Sequence, residues 1–309
     1  IRHCKNISSG AKKCVKSFEL IKKRRRFNEF TKKHLRVTKK CGTKTDLQRT
    51  AAKFDAVITG SDQVWNPNAT GGDFGYFLDF VGSGTKKIAY AASIGYRTFP
   101  PKYESKCIEY LKGFESISVR EKSACKTVAE SADKDVENVL DPTLLLSDLR
   151  WLDIAKKPRN LPHRYILVYM MEGCKYTIEK ARALARDKEC DLVLINPTLM
   201  QRQTCKDFVM YKAASPEEFI GMFAQADAVV TNSFHGVVFS VIFKKEFYAE
   251  TSNAEKSARI VDLLAIFDLS DRILPNEING KPNWEKVNSQ LIKEKNKSIS
   301  WLKDSLGLN

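Results

Sequence analysis

Short runs rich in β-branched and aromatic residues recur along the chain, most of them bounded by Gly, Pro, Asn, Asp or Ser. Eight of them predict strands: Asp55–Thr59, Lys87–Ser93, Ser116–Arg120, Val136–Leu140, Tyr165–Met170, Asp191–Ile195, Asp227–Thr231 and Glu246–Glu250. Between most of these, and after the last, apolar residues return at three- and four-residue spacing. This predicts helices over Tyr103–Gly113, Glu121–Ser131, Thr177–Lys188, Ser215–Ala226 and Lys256–Phe267. "SPEEF" at 215–219 is a full helix start, with Ser at the N-cap, Pro at N1 and two acids in the first turn. Two further helices flank this series. One covers about Ala11–Arg36, where Phe27, Phe30 and His34 fall at i, i+3 and i+7, and the other covers Trp284–Leu306.

Strands alternating with helices predict an α/β fold with mainly parallel sheets and helices on both faces. Eight strands are too many for one compact sheet, and "KKPRNLPHR" at 156–164 reads as a connector, so two Rossmann-like domains are expected. The first spans residues 1–155 and includes a basic helical segment, 1–53; the second spans 164–309 and includes the terminal helix 284–306. A length of 309 residues suits such a pair. No apolar run approaches the roughly 20 residues that span a bilayer, and the opening "IRHCKNISSG" has neither an initiator Met nor a signal-peptide core. The expected location is cytoplasmic, with peripheral contact at the inner face of a membrane open to the basic segment.

Charge changes the picture because of where it lies. Residues 1–53 carry 18 Lys and Arg against Glu19, Glu29 and Asp46, which accounts for the whole net charge of +15. Such a segment attracts a polyanion or an anionic membrane surface, or is a solvated helix face. No zinc finger, RNP-like aromatic motif or clear helix-turn-helix accompanies it, so nucleic acid is not an expected partner. The eight cysteines, at 4, 14, 41, 107, 125, 174, 190 and 205, include no C-x-x-C pair, and reduced thiols are expected. Four scattered histidines argue against a metal site.

Ligands of open α/β sheets bind beyond the carboxyl ends of the strands. "VVTNSFHGVVFS", Val229–Ser240, puts Asn232, Ser233, His235 and Gly236 there, between a strand and an apolar helical run. His235 then lies at a helix N-terminus, a natural place for phosphate or carboxylate. A bound anion would favour the protonated ring and make it a competent acid; the plain alternative is a capping or buried histidine. "GSDQVWNP" at 60–67 has the same location after an earlier strand, where Ser61 and Asp62 offer caps or hydroxyl contacts and Trp65 a flat face for a sugar. "AASIG" at 91–95 adds Ser93 in a third such loop. Arg120, ending a strand, and Arg259, in "KSARIVDLL", suit bidentate contact with carboxylate or phosphate, or else surface ion pairs with Glu121 and Glu255. G-x-G-x-x-G, Walker, G-x-S-x-G and H-E-x-x-H motifs are all absent.

Taken in order, "FDAVITGSDQVWNP", "YFLDFV", "KIAYAASIG", "SISVREKSA", "VLDPTLLL", "YILVYM", "TNSFHGVVFSVIF" and "ARIVDLLAIFDLSDRIL" resemble the polysaccharide pyruvyl transferase family over about Arg24–Leu274. The resemblance implies two Rossmann-like domains of the GT-B type with a cleft between them. It also implies transfer of the enolpyruvyl unit of phosphoenolpyruvate onto two hydroxyls of a sugar, in a cell-surface polysaccharide or its lipid-linked precursor. The products are a cyclic pyruvate ketal and phosphate, and no cofactor is implied. The family's histidine matches His235, as proton donor to the methylene carbon or as phosphate ligand, and an arginine used for the donor matches Arg120. Arg259, Asn232, Ser233, Gly236 and Ser93 then join the donor site, and Ser61, Asp62 and Trp65 the acceptor contacts.

The chain departs from the family pattern in two places. Some members carry an arginine two residues before the histidine; here Ser233 stands there, so one cationic contact is absent or supplied elsewhere. The family's usual first strand–loop–helix unit is missing from the start of the sequence. A nucleotide-sugar glycosyltransferase, or a non-catalytic protein that binds glycans or a membrane surface, would keep the same architecture.

Overall fold

A computed structural model describes residues 2–171, 175–251, 254–276 and 280–308, with side chains from residue 18 onward apart from 254–256. The chain begins with α1 (Arg2–His34) and α2 (Lys44–Ala51). The first run of strands follows: β1 (Ala56–Gly60), β2 (Lys86–Ala92), α3 (Glu104–Leu111), β3 (Ser116–Val119), α4 (Cys125–Ala132) and β4 (Val136–Asn138). After α5 (Asp148–Ile154) come β5 (Tyr165–Tyr169), α6 (Lys175–Lys188), β6 (Asp191–Ile195), α7 (Leu199–Thr204) and β7 (Val209–Tyr211). The order closes with α8 (Pro216–Gln225), β8 (Ala228–Thr231), α9 (Phe234–Ile242), β9 (Glu246–Glu250), α10 (Ala254–Ile266) and α11 (Trp284–Leu306). All eight strands read from the sequence are present within about two residues, while β7 was too short and too polar in its flanks to stand out.

Two compact units emerge. The β1–β4 unit consists of Thr38–Leu146 and Thr251–Asn309, and the β5–β9 unit of Ile1–Val37 and Ser147–Glu250. This division differs from the one drawn at the 156–164 connector, because both ends of the chain join the unit opposite to the expected one. The reason is long-range polar pairing. On α1, half-buried positions recur at 19, 23, 26, 30 and 34, a helical stripe. From that stripe Arg26 pairs with Glu218 of α8 and donates to the Ala213 carbonyl at 2.7 Å, and Glu19 accepts from Arg202 at 2.7 Å. The helices after residue 250 pair with the other unit instead. Asp262 of α10 accepts from the Ser123 amide and hydroxyl at 2.9 and 2.7 Å, and Ser298 of α11 accepts from the Leu140 amide at 2.9 Å.

The β1–β4 sheet runs in the order β1-β2-β3-β4, all parallel. In the other unit the strands follow β9-β8-β5-β6-β7, also parallel. Helices on both faces explain why strands such as "YILVY" and "AVVT" are apolar without alternation, with Tyr165–Val168 and Ala228–Val230 fully buried. Chain order reverses direction between β5 and β8, and that crevice is where open α/β sheets hold ligands.

The start of α8 is built as the sequence proposed. Ser215 Oγ accepts from the Glu218 amide at 3.1 Å, and the Glu218 carboxylate accepts from the Ser215 amide at 3.0 Å. Cys41, Cys107, Cys125, Cys190 and Cys205 are free thiols; Cys4, Cys14 and Cys174 lie outside the described residues or side chains. Among the described residues, no helix is long and apolar enough to cross a membrane.

The 156–164 connector is held against α8. A Cβ added at Gly221 would lie 2.1 Å from the Lys156 carbonyl oxygen, whose own amide donates to the Glu217 carbonyl at 2.9 Å. Gly221→Ala is therefore expected to destabilise the protein by about 1–3 kcal/mol, since backbone rather than a mobile side chain must move. Gly82→Ala, where nothing lies within 4 Å, should be near neutral. Thermal melts of the two variants test this, and equal melting temperatures would refute it.

Candidate functional site

The loop after β8 is fastened to the end of β5 before it reaches His235. Thr231 donates through Oγ1 to the Tyr169 carbonyl at 2.6 Å and accepts from the Ser233 amide at 3.0 Å. Asn232 Oδ1 accepts from the Met171 amide at 2.8 Å. The loop thus spans the β5/β8 switch point and delivers His235 to the second position of α9, where backbone N–H groups have no intrahelical acceptor. Gly236 allows this: a Cβ there would lie 2.2 Å from Thr231 Oγ1, so α9 can begin this close to β8 only on a glycine. Its expected place in the donor loop is accordingly one of close packing. Ser233 is buried and serves as N-cap residue without a side-chain cap bond.

His235, half-buried, opens into a pocket of about 340 Å³ beyond the carboxyl ends of β5, β6 and β8. Trp151, Tyr169 and Phe239 are among its aromatic walls, and Lys23 reaches it from α1. Asn196, just after β6, also lines it. Its Oδ1 is buried with no partner among the described residues. Lys23, Trp151, Tyr169 and Asn196 had not been singled out from the sequence. The Asn-Pro pair after "DLVLI" was the available signal for Asn196, whereas nothing local pointed to Lys23, which is one lysine of a basic run.

The other expected residues gather at the carboxyl ends of β1–β4. Arg120 is not a surface ion pair; its side chain is 1% exposed and joins several loops. Nη1 donates to Ser61 Oγ at 3.2 Å and Asp141 Oδ2 at 2.8 Å, Nη2 to Asp62 at 3.2 Å, and Nε to Glu121 at 3.4 Å. Burial alone would lower its pKa, but the charges of Glu121 and Asp141 override this and hold it above the ordinary value. Glu121, equally buried, is pushed up by desolvation against the pull of Arg120. Arg259 on α10 completes the cluster. With the Gln63 amide oxygen turned toward it, both terminal nitrogens donate at 3.1 Å, while its Nε is buried with no partner among the described residues. Burial, and then the like charge of Arg120, lower its pKa. The Glu255 side chain lies outside the described residues.

Two expectations are corrected here. Trp65 offers no face to a sugar: it is fully buried, 5.5 Å from the Phe77 ring and 5.4 Å from Phe114, with its indole N–H donating to the Tyr76 carbonyl. Ser93 is also fully buried and works within the structure. It accepts from the Trp65 amide at 3.1 Å, donates its own amide to the Asp62 carbonyl at 3.1 Å, and its hydroxyl accepts from Gly95. The expected donor set is thus divided, with His235, Asn232, Ser233 and Gly236 in one unit and Arg120, Arg259 and Ser93 in the other.

The family model described as polysaccharide pyruvyl transferase matches residues 9–252. No curated protein matches the chain. Among solved structures, UDP-GlcNAc 2-epimerase from Methanocaldococcus jannaschii is similar at 14% identity and TM-score 0.53, over 85% of this chain and 80% of that one. The same enzyme in complex with UDP-GlcNAc and UDP aligns at 15% identity and TM-score 0.49, over 86% and 80%. AviGT4, a glycosyltransferase involved in avilamycin A biosynthesis, aligns at 13% identity and TM-score 0.48, over 88% and 80%. At such identities the likeness to the first of these concerns fold alone, that of an α/β protein with two parallel sheets.

The Arg120 cluster carries its own test. Asp141→Ala leaves a buried guanidinium short of its closest carboxylate, with an expected cost of about 3–5 kcal/mol in urea unfolding. Glu121→Gln addresses the pH dependence. A carboxyl raised in the folded state contributes stability that is present below its unfolded pKa and lost as pH rises through the folded one. Wild type should therefore lose stability relative to Glu121→Gln as pH climbs above the usual carboxylate range. Parallel pH profiles for the two proteins would contradict the raised state.

Proposed function

The chain belongs to the polysaccharide pyruvyl transferase family, and from that premise we propose that it moves the enolpyruvyl group of phosphoenolpyruvate onto a sugar. The acceptor is a cell-surface polysaccharide or its lipid-linked precursor. One observation supports the reading above the others: a histidine at the N-terminus of α9, at the sheet's switch point, opening into an aromatic-walled pocket. Phosphate suits the helix N-terminus. Aromatic walls suit the face of a sugar ring.

In the proposed reaction His235 protonates the methylene carbon of phosphoenolpyruvate. The developing oxocarbenium-like centre takes one sugar hydroxyl, the C–O bond to phosphate breaks, and the second hydroxyl closes the ketal. One hydroxyl proton restores the histidine and the other leaves with phosphate, so the sum is donor plus diol giving pyruvate ketal plus phosphate. General acid catalysis at this step is worth about 10²–10⁴ in rate. Arg120 acts by holding its loops, while Arg259, whose Nε has no partner among the described residues, has capacity for an anion. On α1, exposed Phe18, Leu20 and Ile21 lie beside Lys22, Arg24 and Arg25, a surface that fits an anionic carrier of the acceptor. Its association with vesicles containing anionic lipid should fall as salt rises.

Calorimetry with wild type and His235→Ala tests the reading. Phosphoenolpyruvate should bind saturably to wild type and about tenfold more weakly to the variant, a difference of ~1.4 kcal/mol. Binding of a UDP-sugar with no binding of phosphoenolpyruvate would transfer the protein to the nucleotide-sugar glycosyltransferases.

A further inference from the structure

The pocket at His235 has an electrostatic imbalance. Among its described lining residues Lys23 is the one Lys, Arg, Asp or Glu, and no carboxylate accompanies it. Lys23 belongs to the stripe of α1 that faces its unit, and its charged neighbours on that stripe, Glu19 and Arg26, are paired. Glu19 pairs with Arg202 at 2.7 Å, Arg26 with Glu218, and His34 lies 3.9 Å from Glu217. Lys23 has no ion-pair partner among the described residues; its recorded neighbour is the Phe27 ring, 5.8 Å from the ammonium. It is half-buried, and its pocket is walled largely by aromatic rings.

Taking an ammonium partly out of water without a counter-charge is unfavourable. Among the described lining residues no carboxylate offsets that cost at this position, whereas an anionic ligand would. The same pocket holds the N-terminus of α9, a second place for negative charge, on a different element. Two separate positive features in one pocket match a ligand with two anionic groups on a small frame.

We propose that Lys23, carried in by the N-terminal helix, is a charge contact for the donor in the His235 pocket, holding one anionic group of phosphoenolpyruvate while the start of α9 takes the other. The inference rests on the donor reading given above. It makes α1 part of the binding site, and it explains why this helix is anchored by Arg26 and Glu19 on either side of Lys23. Helix position then sets ligand affinity.

The test is calorimetric binding of phosphoenolpyruvate at low salt to wild type, Lys23→Met, Lys23→Arg and Lys33→Met. Methionine keeps much of the apolar stem and removes the charge; Lys33 is an exposed lysine on the same helix, away from this pocket. Lys23→Met should weaken binding about tenfold or more, as loss of a charge-assisted contact does. Lys23→Arg should stay within about threefold of wild type, since the charge is kept. Thermal melts would show that α1 remains docked in each. If Lys23→Met binds as tightly as wild type, the role of Lys23 is wrong and the donor reading stands. An equal loss in Lys33→Met would reduce the effect to net charge and overturn the inference. If wild type itself does not bind phosphoenolpyruvate, the donor reading falls and Lys23 loses its role with it.

Discussion

A parallel sheet sends all its strand ends the same way, and those ends must be closed by something other than another strand. In this protein that constraint organises both units. At the ends of β1–β4 the closing group is the Arg120 guanidinium, which takes Ser61, Asp62, Glu121 and Asp141 as acceptors from three different loops. A buried cation of this kind contributes little net stability against a well-packed apolar replacement, but removing one partner is costly. It therefore fixes loop positions more than it strengthens the fold. At the ends of β5 and β8 the work is done by smaller groups, Thr231, Asn232 and Gly236, and the result is an open pocket in place of a filled cluster.

That contrast bears on chemistry. The guanidinium most suited by type to bind an anion has its hydrogen bonds directed at the protein's own carboxylates. The histidine stands at a helix N-terminus on the wall of a cavity. Proton transfer requires a group that can meet the ligand, and by this criterion His235 is better placed than Arg120 to act on a substrate. Arg120 sets where the loops are; His235 lines a cavity.

The N-terminal helix shows how charge can be misjudged from its amount alone. Its excess of lysine and arginine is one property, and its distribution around the helix is another. A stripe of Glu19, Lys23, Arg26, Phe30 and His34 turns toward the protein, and the ion pairs of Glu19 and Arg26 dock the helix on the β5–β9 unit. Of the helix's other described basic side chains, Lys22, Arg24, Arg25, Lys32 and Lys33 are exposed, where their long-range attraction for an anionic partner is retained.

By itself, the sequence determined the α/β class, the eight main strands and the helix start at Ser215. It also determined that the polar residues 232–236 stand between a strand and a helix. These follow from hydrophobic period and local cap chemistry, which act over a few residues. Tertiary structure alone decided which unit claims each end of the chain, because α1, α10 and α11 are held by hydrogen bonds to residues more than a hundred positions away. It also decided that Trp65 is core and Arg120 a buried hub, since burial depends on what the rest of the chain packs against a residue. Lys23 and Asn196 reach the histidine's pocket for the same reason: a pocket wall is assembled from distant segments, and no local pattern records which of them will meet.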